Sequence, residues 1–161
     1  VFLRPLGLRL GRPMFLRRPD SHLGLANFMR SHLYASLVTL KIGLDILLKE
    51  EDVKIDSITG HGGLFKTKGV GQSILAAAMN APISVMETAG EGGAWGMALL
   101  AAYMLSKKDG QSLGDYLDSR VFAERKSETM EPDLADVAGF ETYTKQYQAC
   151  LAAEKAAVQA F

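Results

Sequence analysis

Gly60-His61-Gly62-Gly63 constrains this chain more than any other stretch. It lies between a β-type run, Val53–Thr59, and a helix-type run, Val70–Asn80. A strand that ends in glycines and then enters a helix makes a cradle for anions. Glycine lets backbone approach a ligand closely, and the bare N–H groups of a helix start favour negative charge. A second glycine-rich entry, Gly90-Glu91-Gly92-Gly93, again precedes a helix. Two such turns in one chain point to a nucleotide site; a tight turn without ligand is the competing reading of either one alone.

The turn departs from the common phosphate-binding fingerprints. No Gly-Lys-Ser/Thr follows at Walker A spacing, and Lys66 and Lys68 are wrongly placed for it. The pattern is also not G-x-G-x-x-G, so a dinucleotide fingerprint is absent.

The flanking periodicity predicts an α/β domain. Leu25, Phe28, Met29, Leu33, Leu37, Leu40, Leu44, Leu47 and Leu48 recur at helical spacing and give one long helix with a buried stripe. Asp20 and Ser21 are available to cap it. Upstream, Leu6, Leu8 and Leu10 alternate and Gly11-Arg12-Pro13 can turn, so residues 1–18 read as a strand pair. Downstream, Pro82 restarts the chain and Ile83-Ser84-Val85 reads as a second short strand. Thr88-Ala89-Gly90-Glu91 then fits a capping box ahead of a helix over Gly92–Leu105. The run Ala94–Leu105 is about a dozen residues, too short to span a bilayer at roughly 20 residues, and reads as a buried helix with Trp95 and Met97 in the core. A short helix is predicted over Ser112–Leu117, a charged loop over Glu124–Met130, and a helical stretch after Pro132 carrying Tyr143, Tyr147, Cys150, Leu151, Val158 and Phe161. Strand and helix alternating in this order indicate an α/β fold.

Composition narrows the partners. The 161 residues carry 18 Lys+Arg and 18 Asp+Glu, a net charge of zero, which argues against bulk electrostatic capture of nucleic acid or of an anionic membrane. The length fits a single domain over residues 1–161 with a real core. Cys150 is the sole cysteine, so no internal disulfide forms, which fits a reducing cytoplasm. The chain opens on Val1 rather than Met, which suggests a piece of a longer polypeptide.

Few side chains compete for a chemical role. Glu91 is a candidate acid, but the third position of the capping box is the favoured reading. His22, His32 and His61 have no metal-ligand spacing with one another or with Cys150, so no metal ligand is assigned. His61 has the better functional claim because it sits in the glycine turn. Cys150 reads as a buried, inert thiol.

At these residues the chain resembles the C-terminal domain of the FGGY family of carbohydrate kinases, clearly from Pro19 to Leu105. The family shows a strand ending in glycines and then a Gln about one helical segment later; here these are Gly62, Gly63 and Gln72. It then shows a short strand after Pro and E-x-x-A-x-G-x-A opening a small-residue helix; here these are Pro82-Ile83-Ser84-Val85 and Glu91 to Ala98. The resemblance implies a ribonuclease-H-like fold of the actin and Hsp70 type, in its C-terminal portion, with the long helix packed on a small mixed sheet. It implies ATP and Mg²⁺ as cofactors and a sugar, closest to a pentulose such as xylulose or ribulose, as substrate. Carried over, Gly62 and Gly63 approach the phosphates by backbone, Leu64 stands where Ala is frequent, and Thr67 borders the adenine or ribose. Where relatives often carry an Asp four residues after the Gln, this chain has Ala76. The general base of relatives is an upstream Asp, and residues 1–19 hold no counterpart, so no catalytic residue is expected in this stretch. The sugar would be met mostly by an N-terminal domain. A homodimer is conceivable through the second face of the long helix. The alternative within the same architecture is a nucleotide-binding regulatory module without sugar chemistry.

Overall fold

A computed structural model describes residues 14–55, 57–87, 89–123 and 127–160. Its elements run α1 (Leu25–Lys49), β1 (Ile58–Gly60), α2 (Val70–Met79), β2 (Ile83–Met86), α3 (Gly92–Ser106), α4 (Leu113–Tyr116), β3 (Ser127–Met130) and α5 (Leu134–Gln159). The chain is thus α/β and helix-rich, with one small mixed sheet. It divides into two compact units: one holds residues 1–54, 77–80 and 133–161, the other residues 55–76 and 81–132.

In the first unit, α1 packs on α5. Of the stripe predicted from periodicity only Leu37 is buried; Leu25, Phe28, Met29, Leu40 and Leu47 are exposed, and the buried face is instead Tyr34, Leu37, Val38 and Lys41, with Val38 fully buried. From α5 comes Phe140, also fully buried, its ring 4.6 Å from that of Tyr34. Tyr143 closes the cluster edge-on to Tyr34 at 5.3 Å. Burial, then the neighbouring Tyr147, raises the Tyr143 phenol pKa; burial, then Glu154, does the same for Tyr147. Cys150 is only half-buried on this helix, less enclosed than its apolar neighbours suggested.

The same helix pair holds a buried lysine. Lys41 Nζ lies 2.6 Å from Asp45 Oδ1 and 2.8 Å from Glu141 Oε1, and Lys49 reaches the other Asp45 oxygen at 3.1 Å. Burial works against the Lys41 ammonium, but the hydrogen bonds to Asp45 and Glu141 outweigh it and hold its pKa above the usual value. Burial likewise opposes the Asp45 carboxylate, and Lys41 and Lys49 outweigh it to hold that pKa down. With 25 residues, α1, rather than the Ala94–Leu105 run, is long and apolar enough to cross a bilayer by length and composition.

Helix ends follow local chemistry. Gly24, rather than Asp20 or Ser21, stands at the N-cap of α1, with no side-chain cap. Ser21 and Asp20 instead bind the preceding arginines: Ser21 Oγ accepts from Arg17 Nε at 3.2 Å, and Asp20 pairs with Arg18 at 2.8 Å. Asp133 caps α5 by accepting from the Ala135 and Asp136 amides. Asn80 ends α2 in the left-handed region, φ 49°, a role asparagine fills more readily than most residues.

In the second unit the sheet order is β1-β2-β3. β1 and β2 are parallel, Ile58 opposite Ile83 and Gly60 opposite Val85, with α2 on the crossover. β3 is antiparallel to β2, pairing Ile83 with Met130 and Met86 with Ser127. The predicted Val53–Thr59 strand therefore shortens to Ile58–Gly60, and the loop predicted over residues 124–130 ends in a strand. Ser127–Met130 is claimed by the β2 edge, where Ser84 and Thr129 hydroxyls meet at 2.8 Å. Among the described residues, 14–18 form no strand; the rest of the predicted strand pair, residues 1–13, lies outside them, as do Thr88 and the Glu91 side chain on which the capping box depends.

Helix α3 corrects a second expectation. None of its residues is buried. Trp95 is half-buried and Met97 is exposed, so Met97 is not a core residue. Hydrophobic content predicted burial, but only one side of this helix meets its unit. Beyond α4, the chain continues as a π-helical turn over Leu117–Val121.

Candidate functional site at the glycine turn

The glycine turn sits at the carboxyl end of β1, where α/β sheets place their ligands. Its first residue, Gly60, is buried, and a side chain there would collide with the Phe65 ring. Gly62 has φ 107° and ψ −174°, a conformation open essentially to glycine alone. The chain then makes one 3₁₀ turn over Gly63–Phe65 and enters α2 through Gly69.

The two glycine-rich turns are joined directly. Gly62 N–H donates to the Ala89 carbonyl at 2.7 Å. A side chain at Gly92 would meet His61 Cβ at 3.2 Å, and one at Gly90 would meet Lys66 Cγ at 3.1 Å. The glycines of the second entry are therefore where the first turn packs against it. Sequence reading saw both turns but not their contact, because no local pattern encodes a pairing between residues so far apart.

This geometry changes the donor set. The Gly62 amide serves the protein's own carbonyl and is not open to a phosphate. Among the described residues no hydrogen bond occupies the amides of Gly63 or Leu64; the 3₁₀ bonds of this turn run from the Phe65 amide to Gly62 and from the Lys66 amide to Gly63. Gly63 is exposed, its φ is ordinary, and a Cβ built on it meets nothing within 4 Å. Two adjacent free amides beside open space are what an anion requires. Leu64 is half-buried, and its carbonyl occupies the place a side chain on Gly71 would take.

Thr67 stands apart from these amides. It is exposed and lines a cavity of about 440 Å³ with Phe65, Lys68, Gln72, Met86 and Glu128. Gln72 organises that wall. Nearly wholly buried, it donates through Nε2 to the Ile83 carbonyl at 2.7 Å and the Glu128 carbonyl at 2.8 Å, stitching α2 to both strands. The sequence flagged Gln72 only through a motif; its structural work follows from a long side-chain amide that reaches two strands at once. Lys68 pairs with Glu128 at 3.1 Å at the exposed rim. His61 is exposed, and His32 is an exposed residue of α1 set edge-on to Phe28 at 4.6 Å. Among the described residues no group of three or more His, Cys, Asp or Glu could hold a metal ion.

The unit thus combines a short mixed sheet, a glycine turn at the end of its first strand and a small-residue helix after its second, an arrangement of the α/β class. Residues 3–105, well over half of the chain, match the C-terminal domain of the FGGY family of carbohydrate kinases, and the chain belongs to that family. The match implies the actin-like ATPase fold, with which the small mixed sheet is consistent, and the family's general use of ATP. No curated protein and no solved structure matches the chain.

Proposed function

We propose that the chain is the nucleotide-side, C-terminal part of a sugar kinase, of ribonuclease-H-like fold, that transfers the γ-phosphoryl group of ATP to a hydroxyl of a pentulose. The observation that carries this reading is the pair of open amides at Gly63 and Leu64, held at the end of β1 by the bond from Gly62 to Ala89. Thr67, which lines the separate cavity with Phe65 and Gln72, would border the ribose or base. Phosphoryl transfer needs positioning and charge neutralisation more than covalent chemistry, and backbone donors beside the Gly62–Ala89 bond would provide positioning. Mg²⁺ arriving with ATP would supply the charge neutralisation, and the open amides of Gly63 and Leu64 would position the phosphates. The residues fit this role: among the described residues no hydrogen bond occupies either amide, and Gly63 is exposed with open space beside it.

The carboxylate that takes the sugar-hydroxyl proton, and most contacts to the sugar, belong in this reading to an N-terminal domain of a cytoplasmic enzyme. This chain alone then binds nucleotide weakly and does not phosphorylate sugar. Titration of Mg·ATP against the wild type and Gly63→Val tests the site. Gly63 has room for the new side chain within the fold, so the variant keeps its stability while affinity falls at least roughly tenfold. Equal affinities overturn the site. A coupled assay tests the division of labour: robust sugar-dependent ADP release from the 161-residue chain overturns it.

A further inference from the structure

We infer that the side-chain oxygen of Gln72 is the group that selects adenine over hypoxanthine, which rests on the nucleotide-side reading and adds the atom that reads the base. Gln72 is 5% exposed, and both hydrogens of its Nε2 are engaged, one with the Ile83 carbonyl at 2.7 Å and one with the Glu128 carbonyl at 2.8 Å. These two bonds fix which way the amide faces. Turned over, its oxygen would confront two carbonyl oxygens at hydrogen-bond distance. Oε1 is left without a donor among the described residues. None of the described side chains holds a polar atom that is both sealed from solvent and unpartnered, so Oε1 opens on the cavity that Gln72 lines. A buried acceptor held in one orientation favours a ligand that brings it an N–H or O–H, and a second acceptor placed there would leave both unpaired.

The other walls of the cavity decide which donor. Lys66 and Lys68 stand against Glu87 and Glu128, so the lining carries no net charge and favours neither a cation nor an anion. The donor that suits Oε1 is therefore a neutral one. Phe65, Val85 and Met86 supply an apolar side against which a ring can lie. The volume of about 440 Å³ lies within the roughly 300–1,000 Å³ of small-ligand sites. Phe65 directly follows Leu64 in the chain, so the lining begins next to the amides assigned to the phosphates. A neutral amine on a flat ring, adjoining a phosphate site, is the exocyclic amine of adenine, and a glutamine amide is a standard partner for it in base recognition. Hypoxanthine carries an acceptor oxygen in place of that amine and sets two acceptors face to face. Glu87 and Glu128 are exposed acceptors that water satisfies, so neither has the fixed direction that discrimination requires.

NMR titration of the 161-residue chain with Mg·ATP, Mg·ITP and inorganic tripolyphosphate separates the base from the phosphates. Mg·ATP is expected to bind at least roughly tenfold more tightly than Mg·ITP. The carbon resonance of the Gln72 side-chain carbonyl is expected to move with Mg·ATP and to stay in place with Mg·ITP. Gln72→Met, checked for folding by circular dichroism, is expected to bind the two nucleotides equally. Equal affinity of the wild type for ATP and ITP, an unmoved Gln72 carbonyl with ATP bound, or a preference that survives in Gln72→Met overturns the role of Gln72 and leaves the phosphate site standing. Failure of all three ligands to bind overturns the phosphate site and the role of Gln72 together. The carbonyl resonance is read on the wild type, so it decides the matter even where Gln72→Met does not fold.

Discussion

Gly62 and Ala89 share a hydrogen bond of 2.7 Å, and through it the turn after β1 is braced on the turn after β2. Gly62 makes this bond at φ 107°, a backbone conformation that side chains rarely adopt. Gly62→Ala is therefore expected to cost about 1–3 kcal/mol of folding stability, whereas Gly63→Ala, with ordinary φ and open space, stays within about 0.5 kcal/mol. Thermal denaturation of the two single variants, one residue apart, makes the comparison.

Gly60 and Phe65 form a second interlock, since a β-carbon on Gly60 would collide with the edge of the Phe65 ring. Gly60→Ala should destabilise, and replacing Phe65 by Leu in the same chain should recover part of the loss. A double-mutant cycle is expected to give a coupling of about 0.5–3 kcal/mol between the two positions. Strict additivity would mean the ring moves aside freely.

Gln72→Leu removes one buried donor from two strand carbonyls while nearly preserving shape. Each carbonyl left without a partner costs about 1–3 kcal/mol, so urea unfolding should show a loss in that range or somewhat above it, with the contacts of α2 otherwise intact. The variant should also alter the cavity wall that Thr67 shares.

The Lys41 cluster predicts a pH profile with two edges. Asp45 is depressed below its ordinary 3.8, so its contribution is complete above that value and is lost as pH falls through the lower, folded pKa. Lys41 is raised above its ordinary 10.5, so its contribution is complete below that value and is lost as pH rises through the higher, folded pKa. Lys41→Met should flatten the alkaline edge and leave Asp45 held by Lys49 alone, weakening the acid edge. Denaturation midpoints measured across the acid and alkaline ranges report both.

The sequence made the helices legible where one period ran unbroken. The extent of α1 from Leu25 and that of the run Val70–Asn80 were read to within a residue, because apolar spacing is a local property, but the face was not: Tyr34, Val38 and Lys41 are buried where Leu25, Met29 and Leu40 were expected. β3 was not legible. Its four residues, Ser127 to Met130, carry no alternating apolar signal, and the neighbouring β2 edge decides their state. Burial of α3 was misjudged for a related reason: composition reports that a helix wants cover, not whether cover is present. At the site, the glycines announced the turn, yet which amide remains open depended on Ala89, a partner 27 positions away that no spacing rule connects to Gly62.

The aromatic contact between Tyr34 and Phe140 has a consequence for how this polypeptide can be divided. The family match stops at residue 105, while α5 begins at Leu134. The similarity limit therefore cuts between a helix and the partner that shields it. A protein trimmed to that limit would present the α1 aromatic stripe to water and leave Lys41 without Glu141, so an autonomously folding piece must be drawn to include the C-terminal helix.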